Sequence, residues 1–327
     1  MTMTLGYQRI LVAADFSPAS QAALNQAVWV ARASSAKITL VNVLPDLRKT
    51  MHSASIDAKL DLLYGEGAKF YREVLGDAEK RMKHMIDEAA ASDIEIHTQT
   101  LLGEPSVEIC RAVQQAKYDL VISGTRGLVG WKTVFVGSTA KRLIRKCPAP
   151  VWVVKPEHVG QPKSILAATD FSHASWRAVV AGLAIAENAA ASFHLLHVID
   201  SMDVPENVVA IIPEGSSLRQ EINLAAKHRF EEFVSSLNSQ ADIQPHLSWG
   251  TPWKEIHHLA SELQVDLVAM GTVGRSGIPG LFLGNTAEKV LASCDCSILT
   301  IKPESFRSPI PLLDSELAIP DRSTVVG

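Results

Sequence analysis

Cysteine is scarce in this chain of 327 residues. Four in all cannot build the disulfide framework of a small secreted domain, and such usage fits a reducing, cytoplasmic compartment. A basic excess is missing too. Thirty-one Lys and Arg face 35 Asp and Glu, for a net charge of −4, so a nucleic-acid partner is not expected. Long apolar runs are absent. The longest, Ala178 to Ala186, falls far short of the roughly 18 residues that a membrane helix needs. The opening MTMTLGYQRILVAAD lacks a basic start and its apolar stretch soon meets Asp15, so no signal peptide is expected. Nor does a Ser-His-Asp set, an H-E-x-x-H motif or a close pair of strand-end carboxylates stand out for chemistry.

What remains is a globular composition, 47% hydrophobic and 20% charged, written twice. Shifted by 155, ILVAADFSPASQAAL (Ile10 to Leu24) lies on ILAATDFSHASWRAV (Ile165 to Val179) with nine of 15 positions identical. Shifted by 147, Gly103 to Pro156 lies on Gly250 to Pro303 without a gap, and 18 of 54 positions agree. Chance would give roughly three. A unit of about 150 residues is long enough to be a whole domain rather than a solenoid repeat. The boundaries read as residues 1–156 for the first domain, 157–163 for a Pro-punctuated linker, 164–303 for the second domain and 304–327 for a tail. That tail, with Pro309, Pro311 and Pro320 and no sustained period, is expected to run extended over the surface or to be partly disordered.

Each copy alternates short apolar strands with helices. Arg9 to Ala14 reads as a buried parallel strand. Ser17 followed by Pro18 is a helix start, with Ser as N-cap and Pro at the first helical position. Lys37 to Leu44, Glu95 to Leu102, Tyr118 to Ser123 and Val151 to Lys155 supply four more strands. Helical patterns cover much of Ile56 to Ala91, Pro105 to Ala116 and Ser138 to Lys146. The second copy repeats the order, and its long middle helix puts Ile222, Ala226, Phe230, Phe233 and Leu237 on one face. The fold class is therefore α/β: two tandem open-sheet domains, each a parallel sheet flanked by helices.

The chemistry-bearing pattern follows the fourth strand. Gly124-Thr125-Arg126-Gly127 is followed, nine residues on, by Gly137-Ser138 opening a helix; Gly271-Thr272-Val273-Gly274 and Gly284-Asn285 repeat it. Glycines let backbone approach an anion, and a helix N-terminus offers free N–H groups with a partial positive charge. Asp15 and Asp170 end the first strands and share that sheet edge, where open parallel sheets bind ligands. The same glycines could equally serve only to turn the chain. Neither the P-loop nor the G-x-G-x-x-G fingerprint fits: Trp131 separates the glycine from Lys132 in GLVGWKT.

Gly-x2-Gly-x9-Gly-Ser/Thr after strand four, with Asp after strand one, resembles the universal stress protein family from about Arg9 to Pro303. GTVGRSGIPGLFLGNTAEKVL (Gly271 to Leu291), IKPESF from Ile301 and LIRKCPAPVWVVKP from Leu143 are similar to its tandem, E-type branch. The resemblance implies five parallel strands in the order 3-2-1-4-5. It also implies a site for ATP or another adenine nucleotide, with Mg2+ sharing the phosphate charge because neither Gly-x2-Gly turn carries a Lys. Carried over, the first copy offers Ala14 and Asp15 at the adenosine end and a Val43 backbone contact to adenine. Gly124, Gly127, Gly137, Ser138 and Thr139 then meet ribose and phosphates. The second copy offers Asp170, Val198, Gly271, Gly274, Gly284, Asn285 and Thr286. Asn285 stands where Ser or Thr is expected; it is read as a helix cap without the hydroxyl, so the first copy is expected to bind better. A cytoplasmic stress-response regulator is implied. The alternatives are an interaction or small-ligand carrier protein with vestigial loops, and a weak ATPase using Asp15.

Other candidates have plainer readings. Cys294 and Cys296 are expected to be buried, and His257-His258 to lie on the surface as helix neighbours that cannot chelate together. Trp131 and Trp152 suit packing or an interface, and Lys141, Arg142, Arg145 and Lys146 a helix C-terminus. The two copies are expected to pair through their fifth strands as an intramolecular pseudo-dimer, which hides two β-branched edges. A homodimer of tandem chains is open.

Overall fold

A computed structural model of the chain describes residues 5–46, 66–125, 136–200, 213, 215–237, 239, 241–273, 283–312 and 324–326. In the first copy, β1 (Arg9–Ala14), α1 (Pro18–Ser34), β2 (Lys37–Leu44), α2 (Glu66–Glu88), β3 (Ile96–Leu102), α3 (Pro105–Ala116), β4 (Leu120–Gly124), α4 (Ser138–Lys146) and β5 (Val151–Val154) follow in order. The second copy runs β6 (Ser164–Thr169), α5 (His173–Ala189), β7 (Ser192–Ile199), α6 (Ser217–Ser236), β8 (Ile243–Trp249), α7 (Pro252–Glu262), β9 (Leu267–Gly271), α8 (Asn285–Ser293) and β10 (Ser297–Ile301); β11 (Thr324–Val326) closes the chain.

All of these strands lie in one sheet, ordered β11-β3-β2-β1-β4-β5-β10-β9-β6-β7-β8. Each copy thus has the order 3-2-1-4-5, parallel throughout. The copies meet where β5 and β10 pair antiparallel, with Leu299 opposite Trp152 and Thr300 opposite Val151. The strands read as apolar runs because helices cover both faces. One core layer joins α1, α2, α5 and α6 residues such as Leu24, Met82, Leu183 and Phe230 to one face of the sheet. The other joins Ile109, Leu143, Ile256 and Val290 of α3, α4, α7 and α8 to the opposite face. Both layers run through the two copies. Of the face read on the long helix of the second copy, Phe230 and Leu237 are buried, while Ile222 and Ala226 pack beside Ile199.

Beyond β10 the chain returns to the first copy. The carbonyls of Ile310 and Pro311 accept bonds from Gln114 and Arg111 of α3, and β11 pairs antiparallel with the β3 edge. The tail is therefore fastened to the first copy at both stretches that are described.

Candidate functional site

Strand order reverses between β1 and β4, and the carboxyl ends of these strands bound a crevice. At the end of β1, Asp15 Oδ1 accepts the Ser17 N–H at 3.0 Å, which curls the chain tightly. Phe16, caught in that curl, takes φ 63, and its counterpart Phe171 takes the same value beside the matching bond from Ser172 to Asp170. Left-handed backbone at a bulky residue costs on the order of 1–3 kcal/mol and concentrates at working sites. Ser17 then caps α1 by accepting the Ser20 N–H.

Strand β2 continues past the last residue of β1 that it pairs, Ala14 opposite Asn42. The Leu44 carbonyl accepts from Gly103 on the β3 side, so the N–H and C=O of Val43 turn the opposite way, into the gap that β1 has left. A donor and an acceptor side by side match the Watson–Crick edge of a base such as adenine. The second copy repeats this geometry. Ile199 accepts from Gly250, and β6 stops at Thr169 opposite His197, which turns the backbone of Val198 to the gap.

The third wall is the start of α4. Gly137 is its N-cap and no side chain caps it, in contrast to the bonds that Ser17, Glu104, Ser172 and Ser216 give to α1, α3, α5 and α6. The first N–H groups of α4 thus keep their donors and their share of positive helix charge for an anion. These walls enclose a cleft of about 180 Å³ lined by Ala14, Asp15, Val43, Gly124, Gly137, Ser138 and Thr139. Ser20, Thr125, Pro105 and Ile109 line it as well. Thr125 could have been suspected as a neighbour of Gly124, whereas Pro105 and Ile109 belong to an element with no motif.

Of the sequence-expected residues, Gly127 and Gly274 lie outside the described residues. Gly124 and Gly271 have a packing reason. A Cβ on Gly124 would sit 2.3 Å from the Ala19 carbonyl oxygen, and one on Gly271 3.0 Å from the Ser175 nitrogen. Strand four runs hard against the first turn of α1 or α5. In the second copy Asp170 ends the β6 edge and Gly284, Asn285 and Thr286 open α8. Asn285 does not cap this helix. Gly284 is the N-cap, held by its own N–H to the Thr272 carbonyl at 2.7 Å, and Asn285 is an exposed first helical residue with no capping bond.

Among the described residues no Lys or Arg lines the first-copy cleft, and the positive element they supply is the α4 terminus. Nearby, Glu104 caps α3. Burial raises its carboxyl pKa, but bonds from Ser106, the Val107 N–H and Arg142 outweigh that and hold it below the ordinary value. Arg142 is thereby engaged, and Arg145 pairs with Glu288 of the second copy at 2.5 Å. The basic cluster on α4 is thus partly neutralised, half of it across the seam. Cys294 and Cys296 are buried, His258 is exposed, and His257 is half-buried rather than a plain surface residue. Among the described residues no group of three or more His, Cys, Asp or Glu is placed to hold a metal. None of their helices is long and apolar enough to cross a membrane.

Residues 6–155 and 162–302 each match the Universal stress protein family. Universal stress protein E of Escherichia coli strain K12 is 28% identical over 338 residues, covering 95% of this chain and 98% of that protein. The Universal stress protein E homolog of Haemophilus influenzae is 27% identical over 313 residues, covering 91% of this chain and 98% of that protein. The crystal structure of a universal stress protein from Archaeoglobus fulgidus superposes with a TM-score of 0.62 at 20% identity, covering 90% of this chain and 98% of that one; it shares the fold. Matched twice along its length and built of two joined 3-2-1-4-5 sheets, the chain belongs to the universal stress protein family, in tandem form.

Proposed function

We propose that this chain is a cytoplasmic stress-response regulator that binds ATP or another adenine nucleotide in its first-copy cleft. One observation carries the reading: the Val43 backbone, Asp15 and the uncapped start of α4 converge on a single crevice at the topological switch point. They are a base-edge reader, a hydroxyl acceptor and an anion seat, in an order that suits base, ribose and phosphate. The N–H groups at Ser138 and Thr139 and the Ser138 hydroxyl would hold phosphate oxygens, and Asp15 a ribose hydroxyl. The oxygen donors at hand, Asp15 and Ser138, suit Mg2+, which would neutralise phosphate charge. Among the described residues no Lys or Arg lines the cleft, and the reading is binding and regulation rather than phosphoryl transfer. The second copy repeats the backbone geometry but presents Asn285, without a hydroxyl, where Ser138 stands.

The test is titration of a labelled ATP analogue, with nucleotide analysis of the heat-released protein. Ser138→Glu places a like charge at the phosphate seat while its position at a helix start favours the fold. It should weaken binding about tenfold or more, against little change for Asn285→Glu. The reverse pattern would give the site to the second copy. Absence of binding in the wild type would favour the other reading that one observation supports: because packing alone explains Gly124 and Gly271, the loops would be vestigial and the protein a carrier of another small ligand.

A further inference from the structure

We propose that the groove between α1, α2 and the inter-copy linker is a separate small-molecule site that takes an aromatic acid. The groove holds about 570 Å³, within the range of roughly 300–1,000 Å³ of small-molecule sites. Phe16, held at φ 63 by the Asp15 curl, presents its ring there, with the Arg81 guanidinium stacked 4.1 Å from its centroid. Pro156 and Val159 of the linker form the far wall, and the linker is pinned to α1 by two bonds between Gln26 and Gly160, of 3.0 and 2.8 Å.

The second copy indicates what belongs in this place. There Arg229 stacks on Phe171 at 4.4 Å, as Arg81 does on Phe16, so Met85 of the first copy corresponds to Phe233 at a shift of 148. Phe233 packs edge-on against Phe171 with centroids 5.4 Å apart. The second copy therefore fills the position with an aromatic ring of its own, whereas the first has a soft, adaptable methionine and an open groove. A ligand ring stands in for the missing phenylalanine. Its acid group faces Arg81, which pairs with no carboxylate among the described residues. His84, paired with Glu88 at 3.3 Å, borders the same rim. Gln21 lines the groove as well, its amide nitrogen donating to the Asn25 side-chain oxygen at 3.1 Å and to the Met85 carbonyl at 3.0 Å.

The experiment uses the full chain and 1-anilinonaphthalene-8-sulfonate, an aromatic acid whose emission rises when it is shielded from water. The wild type should bind one equivalent, displaced by benzoate but not by neutral benzyl alcohol or by ATP. Met85→Phe copies the packing of the second copy and should cut affinity about tenfold without lowering the unfolding midpoint; Arg81→Gln should do the same and Arg81→Lys restore part of it. Absence of binding, displacement by ATP alone, equal competition by benzyl alcohol, or binding unchanged in both Met85→Phe and Arg81→Gln would each overturn the assignment.

Discussion

Gly124 illustrates how a glycine of the repeated Gly-x2-Gly pattern can be held by packing. Any side chain there would collide with backbone, the Ala19 carbonyl oxygen at 2.3 Å, and backbone cannot rotate away as a side chain does. At Gly271 the nearest atom is 3.0 Å off and a small shift suffices. Gly124→Ala should therefore cost about 3 kcal/mol and Gly271→Ala about 1 kcal/mol in urea unfolding. Equal costs would show that the close approach of β4 to α1 is not what holds glycine there. Phe16 makes the same point from the other side. Its left-handed backbone, shared with Phe171, comes only from the folded turn.

Among the elements, the edge pair β7 and β8 carries its own pH dependence. His194 Nδ1 and His246 Nε2 approach to 3.1 Å between the strands. Burial, helped by the charge of His246, lowers the pKa of His194; burial lowers that of His246, with Glu262 opposing. Both imidazoles thus stay neutral in the folded state below the pH at which the unfolded chain protonates them. Stability from this pair is fully present above the unfolded value, about 6.5, and declines as pH falls through the lowered folded values. Thermal melts from pH 7 to pH 5 should show that decline, and His246→Gln should flatten it. An identical slope in the variant would assign the acid sensitivity to other groups. At the helices, α4 and α8 lack side-chain caps although α1 and α5 have serine caps in both copies. Repetition in both halves makes the uncapped starts a property of the inherited loop rather than of one helix.

At the scale of the whole molecule, the seam is where the two copies become one body. Besides the β5–β10 ladder, Lys155 donates to the Cys294 carbonyl, and Lys302, its repeat partner, donates to the Arg145 carbonyl at 2.9 Å. Each lysine thus ends the last helix of the other copy, where the helix dipole favours a cation. Both are nearly inaccessible, at 5% and 3%. Burial brings Lys302 down to about 7, against which Cys147 and Cys110 pull upward. The unfolded chain holds that proton to about pH 10.4, so between pH 7 and pH 9 it binds more protons than the folded one, and stability should rise with pH. Chemical denaturation at pH 7, 8 and 9 reads this directly. Lys302→Met should remove most of the rise; a slope unchanged by the substitution would place the charge cost elsewhere.

The sequence by itself determined the architecture, because architecture rests on local and repeated signals. Buried parallel strands must be apolar along their length, Ser17-Pro18 starts a helix wherever it stands, and the doubled text of Ile10 to Leu24 and Ile165 to Val179 implies a doubled fold. Even the β5–β10 junction was legible, since two β-branched edges in one chain have each other to cover. The tertiary structure decided what depends on residues far apart in the chain. It set the turn of Val43 toward the gap left by β1, the collision that keeps Gly124 a glycine, and the Arg145–Glu288 pair across the seam. It also moved the cap of α8 from Asn285 to Gly284 and bent the linker over α1 to make a second groove. These features follow from close contacts in space between groups over a hundred residues apart or from backbone direction, and neither leaves a mark on the order of residue types.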